Sequence, residues 1–195
     1  MSREQILDQI RRNKPGATEL TEIDFAQFRS GVDVQERFIQ NLLSVNGIVV
    51  HVEDYEELDA KLRGAFPEAN NIICCGTGLK IGTVDPTSVG SAKELADLDL
   101  AVIQGQFGVA ENGAVWVADQ DFPHRSIPFI ASHVAIVLKR SDIVENMHEA
   151  CLRLSGFSEG YGVFVSGPSK TADIEQSLVI GAQGPLSLTV FLVGA

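Results

Sequence analysis

The stretches Ile48-Val49-Val50-His51-Val52, Asp54-Tyr55-Glu56-Glu57 and Asn71-Ile72-Ile73-Cys74-Cys75 decide how this chain is read. The first is short and rich in β-branched residues, which predicts a strand. Asp54, three residues ahead of Glu57, can cap the bare amides of a helix start, and Leu58, Leu62 and Ala65 then share one face. A second apolar strand closes the unit at Ile72–Cys75. Strand, helix and strand in succession imply a parallel sheet with right-handed crossovers.

Upstream, Ile6, Leu7 and Ile10 share one face of a predicted helix from Arg3 to Arg12, which Lys14-Pro15-Gly16 ends. Residues 15–31 read as a strap, so that 1–31 form a helix and strap packed on a single domain of residues 32–195. That domain opens with a helix capped by Asp33, with Val34, Phe38, Ile39, Leu42 and Val45 as its buried stripe. Downstream, Leu100–Ile103, Ala114–Val117 and Val134–Leu138 read as strands separated by turns too short for helices. Ser141–Leu154 reads as an amphipathic helix carrying Cys151 on its inner stripe, Gly162–Val165 as a strand, Thr171–Val179 as a helix, and Leu188–Val193 as a closing strand. The expected fold class is α/β with a mixed sheet.

The 195 residues are 45% hydrophobic and 21% charged, an ordinary globular composition. The net charge of −11 is shared by both halves, which leaves no basic patch for nucleic acid. Without a long apolar run, a transmembrane segment is not expected. Nor is a cleaved leader, so the expected location is cytoplasmic. Three cysteines argue against a disulfide framework and fall short of the four that an iron–sulfur cluster usually takes. His51, His124 and His148 show no ligand spacing, and no metal site is expected.

Four segments could carry chemistry. In Val165-Ser166-Gly167-Pro168-Ser169-Lys170-Thr171-Ala172-Asp173-Ile174-Glu175, a strand runs through a small polar turn into the predicted helix. Free amides there, with Ser169, Lys170 and Thr171, suit a carboxylate or phosphate. Asp173 and Glu175 in the first turn equally suit a plain capped βα turn. In Val109-Ala110-Glu111-Asn112-Gly113, Asn112-Gly113 favours a tight turn. Glu111 can then be a general base, a nucleophile, a hydrogen-bond anchor or a solvated turn acid. His133, leading into a strand, can face a ligand, hold Glu111 or bond a backbone carbonyl. Cys75-Gly76-Thr77-Gly78 is only superficially like a dinucleotide-binding turn, because Thr83-Val84-Asp85-Pro86 stops the helix such a motif needs.

The segments Gly108–Gly113, Pro128–Val137 and Gly167–Glu175, with the Gly181-x-x-Gly184-Pro185 ending and the Ser2–Ile6 opening, resemble the LUD-domain family, more closely its lactate-utilization protein C group. The resemblance implies a three-layer α/β/α sandwich with a mostly parallel sheet, similar to the ribose-phosphate isomerase and coenzyme A transferase fold. It implies an accessory role in bacterial oxidation of L-lactate to pyruvate, beside iron–sulfur partner proteins that carry the clusters, with no cofactor on this chain alone. Glu111 and His133 would face the reacting end of a small carboxylate or phosphate-bearing ligand, at the carboxyl edge of the sheet. Asn112, Gly113, Gly167, Ser169, Lys170, Thr171, Asp173 and Glu175 would hold it. Glu111-Asn112-Gly113 stands where the family shows Glu-Thr-Gly, and also resembles the turn bearing the glutamate nucleophile of family I coenzyme A transferases. An acyl- or coenzyme A-transferring enzyme and a pure protein-interaction module are therefore the alternatives. Whether the chain turns over substrate alone, and whether it forms a homo-oligomer, stay open at this point.

Overall fold

A computed structural model describes residues 2–19, 24–29, 31–76, 78–157, 160–174 and 177–194. The elements run α1 (Arg3–Arg12), α2 (Val34–Ser44), β1 (Ile48–Val52), α3 (Tyr55–Ala65), β2 (Ile72–Cys75), β3 (Leu100–Gln104), β4 (Phe107–Val109) and β5 (Ala114–Ala118). They continue with α4 (Ile127–Ile130), β6 (His133–Lys139), β7 (Ile143–Val144), α5 (Met147–Leu154), β8 (Gly162–Val165), β9 (Lys170–Ile174), β10 (Ser177–Ile180) and β11 (Ser187–Val193).

Among the described residues, a five-stranded sheet in the order β1-β11-β6-β3-β2 forms the centre, and all its pairings are parallel. The antiparallel pairings lie elsewhere, in a four-stranded sheet ordered β7-β4-β5-β8 and in the β9–β10 hairpin. The fold is thus α/β with a mostly parallel sheet. The helices start where the capping residues predict. Asp33 accepts from the amides of Gln35 and Glu36, and Asp54 from those of Glu56 and Glu57.

Each face of the central sheet has its own core. On one, Leu58 and Leu62 of α3 meet Val52, Ile72, Val102, Ala135 and Phe191, so that α3 carries the chain from one sheet edge to the other over all five strands. On the other, Phe38 and Leu42 of α2 pack with Ile103, Ile136, Leu138, Val190 and Leu192, and with Val115 and Val117 of the second sheet. Burying each of these side chains, Ala135 aside, contributes about 1.5–3 kcal/mol. A third cluster joins Phe107, Trp116, Val144 and Ala150 on the far side of the second sheet.

Three expectations are corrected. Thr171–Val179 is no helix: Thr171 pairs with Val179 and Lys170 with Ile180 in an antiparallel hairpin. Within Ser141–Leu154 only Met147–Leu154 is α-helical, because Ile143 and Val144 pair with β4 as β7. Cys151 is exposed, and the buried residue of α5 is Ala150. None of α1's residues is buried, whereas Phe28 of the strap stacks on His148 of α5 with ring centroids 4.2 Å apart. Residues 20–23 and 30 of the strap lie outside the described residues.

Candidate functional site

Glu111 ends the β4 approach and begins the turn into β5. Its carboxylate accepts from the Met147 amide at 2.8 Å, at the bare start of α5. The Nδ2 of Asn41 in α2 donates to the carbonyls of Ala110 and Glu111, at 2.7 and 3.1 Å. Asn112 accepts the Ala114 amide through its side chain, and its carbonyl accepts the Ser166 hydroxyl at 2.9 Å. Gly113 has φ of 64°, and a Cβ there would lie 2.4 Å from the Leu42 nitrogen. The turn is a junction of α2, α5 and the end of β8. Of the roles open to Glu111, hydrogen-bond anchor is the one its contacts describe. The groove beside it is lined by Asp33 and Glu36 as well as Arg37, a setting poorly matched to an anion.

Ser166 brings the second predicted segment to the first, but the premise of an anion cradle fails there. Because β9 replaces the helix, Gly167, Ser169, Lys170 and Thr171 border no helix N-terminus. The Ser169 amide donates to the Pro185 carbonyl at 3.0 Å, and its carbonyl accepts from the Gly181 amide. Gly167 and Ser169 line a cleft of about 240 Å³ with Pro128, Phe129, Phe164 and Leu188. Lys170 is exposed and does not line it. Asp173 lies on β9, and Glu175 is outside the described residues.

His133 opens β6, so it stands at the amino edge of the parallel sheet rather than the carboxyl edge expected for it. Its Nδ1 lies 2.8 Å from the Ser187 hydroxyl, and Phe66 tilts against the ring at 5.6 Å. A cleft of about 560 Å³ opens here, with Asp99 and Glu68 on its wall. The amides of Asn71 and Asn70 donate to Asp99 and hold its carboxyl below the usual carboxylate value, and His133 lowers it further. Glu111, His133 and Ser169 therefore line three different clefts. The common rim expected of them is not formed.

A fourth cleft, of about 500 Å³, lies outside the carboxyl ends of β1, β11 and β6. His51, Glu53, Glu57, Lys61, Arg140 and Gly194 line it. Arg140 follows β6 and reaches across β11 to β1, where its guanidinium meets His51 Nδ1. Lys61 of α3 donates to the His51 carbonyl at 3.3 Å and pairs with Glu57 at 3.2 Å. In the sequence His51 reads as a strand residue without metal-ligand spacing and Glu57 as part of a helix cap, and neither points to this cleft. The available signal was positional: a cation directly after a buried parallel strand sits where open α/β sheets gather ligands.

No group of three or more His, Cys, Asp or Glu placed to hold a metal occurs among the described residues. Burial, and secondarily Asp59, pushes the Cys74 thiol up to about 11. No helix is long and apolar enough to cross a membrane, among the described residues.

A parallel sheet whose β3 leads through Gly105 and Gln106 into a second, smaller sheet, with a Glu-x-Gly turn between β4 and β5, is an α/β architecture with relatives. The LUD domain matches residues 86–193, more than half of the chain, and the chain belongs to the LUD-domain family. A DUF162 family protein of Deinococcus radiodurans has the same fold, with a TM-score of 0.67 at 17% identity over 89% of this chain and 100% of that one. Curated relatives carry the name lactate utilization protein C. That of Bacillus pumilus is 28% identical over 99 residues, 48% of this chain and 41% of its own length. That of Shouchella clausii is 30% identical over 101 residues, 49% of this chain and 44% of its own. The matched segment thus spans less than half of these relatives.

Proposed function

We propose that this chain is an accessory component of a bacterial system that oxidises L-lactate to pyruvate in the cytoplasm, binding a small organic anion beside iron–sulfur proteins that carry the electrons. The observation that carries the reading is the 28–30% identity to proteins named lactate utilization protein C in several bacilli. The three cysteines support the assignment of clusters to partners. Cys75 is buried, Cys74 is half-buried with its thiol held protonated, and Cys151 is exposed on α5, so they do not converge. An acyl-transfer role through Glu111 receives no such support, because its carboxylate anchors α5 in an acid-lined groove.

Deleting the gene in its host tests this directly. Growth on L-lactate as sole carbon source is expected to fail, growth on pyruvate to continue, and an intact copy to restore the first. Undiminished growth of the deletion strain on L-lactate overturns the proposal.

A further inference from the structure

We infer that the cleft at the carboxyl ends of β1, β11 and β6 binds a short 2-hydroxy acid, Arg140 taking its carboxylate and Glu57 accepting from its hydroxyl. The inference rests on the lactate reading for the choice of acid and on the geometry for the site.

Arg140 is half-buried, and one of its terminal nitrogens is committed to His51 Nδ1, which fixes the direction of the fork. Its Nε is buried with no hydrogen-bond partner among the described residues. A guanidinium presents five N–H donors in one plane; Nε is closed off from the cleft, and the terminal N–H groups that His51 leaves free can meet the oxygens of a carboxylate. A buried donor left without an acceptor is costly, and a bound anion offsets that cost by neutralising the charge at close range.

The residues that α3 contributes to the cleft select the rest of the ligand. Glu57 already accepts from the Lys61 ammonium at 3.2 Å and from the Glu53 amide at 3.3 Å. A carboxylate has about four lone-pair sites, so a third donor can be taken. A hydroxyl beside the ligand's carboxylate supplies that donor. A keto oxygen in the same place would set an acceptor against an acceptor. Arg140 and Lys61 balance Glu53 and Glu57, so the cleft suits a monoanion carrying a donor better than a dianionic phosphate.

The test titrates the full chain with L-lactate and with pyruvate, following the imidazole resonances of His51 by NMR. His51 is expected to shift with L-lactate at lower concentration than with pyruvate, while His133 at the other edge of the sheet stays still. Arg140→Gln is expected to weaken both acids tenfold or more, the loss of a charged hydrogen-bonded contact. Glu57→Ala, which also frees Lys61, is expected to narrow the preference for lactate over pyruvate. A His51 signal indifferent to both acids overturns the site, as does Arg140→Gln binding like the wild type or pyruvate binding as tightly as L-lactate. Should Arg140→Gln fail to fold, the wild-type titration decides alone. The deletion strain separates the two proposals: a chain required for growth on L-lactate whose His51 ignores both acids keeps its function and loses this site.

Discussion

Gly113 shows how one residue can hold a junction together. Its φ of 64° is open to glycine at little cost, and the Leu42 nitrogen lies where a Cβ would go, at 2.4 Å. Both objections fall on backbone, which cannot swing aside as a side chain would. Gly113→Ala is therefore expected to destabilise the fold by about 2–4 kcal/mol, read as a lower urea midpoint with unchanged slope. A loss under about 0.5 kcal/mol would mean that α2 does not pack on this turn as described. Asn112-Gly113 was legible as a tight turn because the dipeptide itself favours positive φ. The work of Glu111 was not legible, because the amide it accepts from belongs to Met147, thirty-six residues away. A carboxylate on an apolar approach looks equally like a base, a nucleophile or an anchor until its partner is known.

The same limit operates at the level of elements. The β1, α3 and β2 unit could be read because its information is local: β-branched runs, an Asp cap and a helical stripe. The 170–180 segment could not, since Thr171-Ala172-Asp173-Ile174-Glu175 carries early acids that mimic a capped helix while its actual partner is the strand that follows. Three hydrogen-bonded acids, two with neighbours in sequence and one with the start of β2, tie down the connection from β2 to β3. Asp85 is stabilised as a carboxylate by the Thr87 hydroxyl and amide, Glu94 by the Gly90 amide and the Ser91 hydroxyl, and Asp99 by the amides of Asn71 and Asn70. Each sits below its ordinary value, 3.8 for aspartate and 4.5 for glutamate, so the folded state prefers the ionised form. Their contribution is complete above those values and is lost as pH falls through the lowered ones. The urea midpoint is expected to drop as pH falls below about 4, and Asp99→Asn to flatten part of that drop. A wild-type midpoint unchanged from pH 6 down to about 3 would contradict it.

Across the whole molecule, the two larger sheets are parts of one core. β3 ends the central sheet at Gln104, and three residues later the chain enters the second sheet as β4. Gly105 and Gly108 make the transition: Cβ atoms there would lie 2.6 Å from the Val115 side chain and 2.9 Å from those of Leu138 and Phe38. Phe38, fully buried on α2, touches this crossing and packs against both sheets. That joint was invisible in the sequence, which showed β5 and β8 as strands but neither β4 nor the departure of all three from the central sheet. It also explains how the carboxyl ends of β1, β11 and β6 are left open as a cleft, since the second sheet takes up the chain beyond β3. If the sheets are one cooperative unit, Trp116, the chain's single tryptophan and 8% exposed in β5, must lose its environment when the central sheet melts. Tryptophan fluorescence and far-ultraviolet circular dichroism are expected to give coincident urea transitions. Phe38→Ala is expected to lower both together by about 3–5 kcal/mol, the cost of an unfilled cavity at a rigid crossing. Two separated transitions, with Phe38→Ala moving only one, would divide the sheets into independent domains and remove the joint on which this architecture depends.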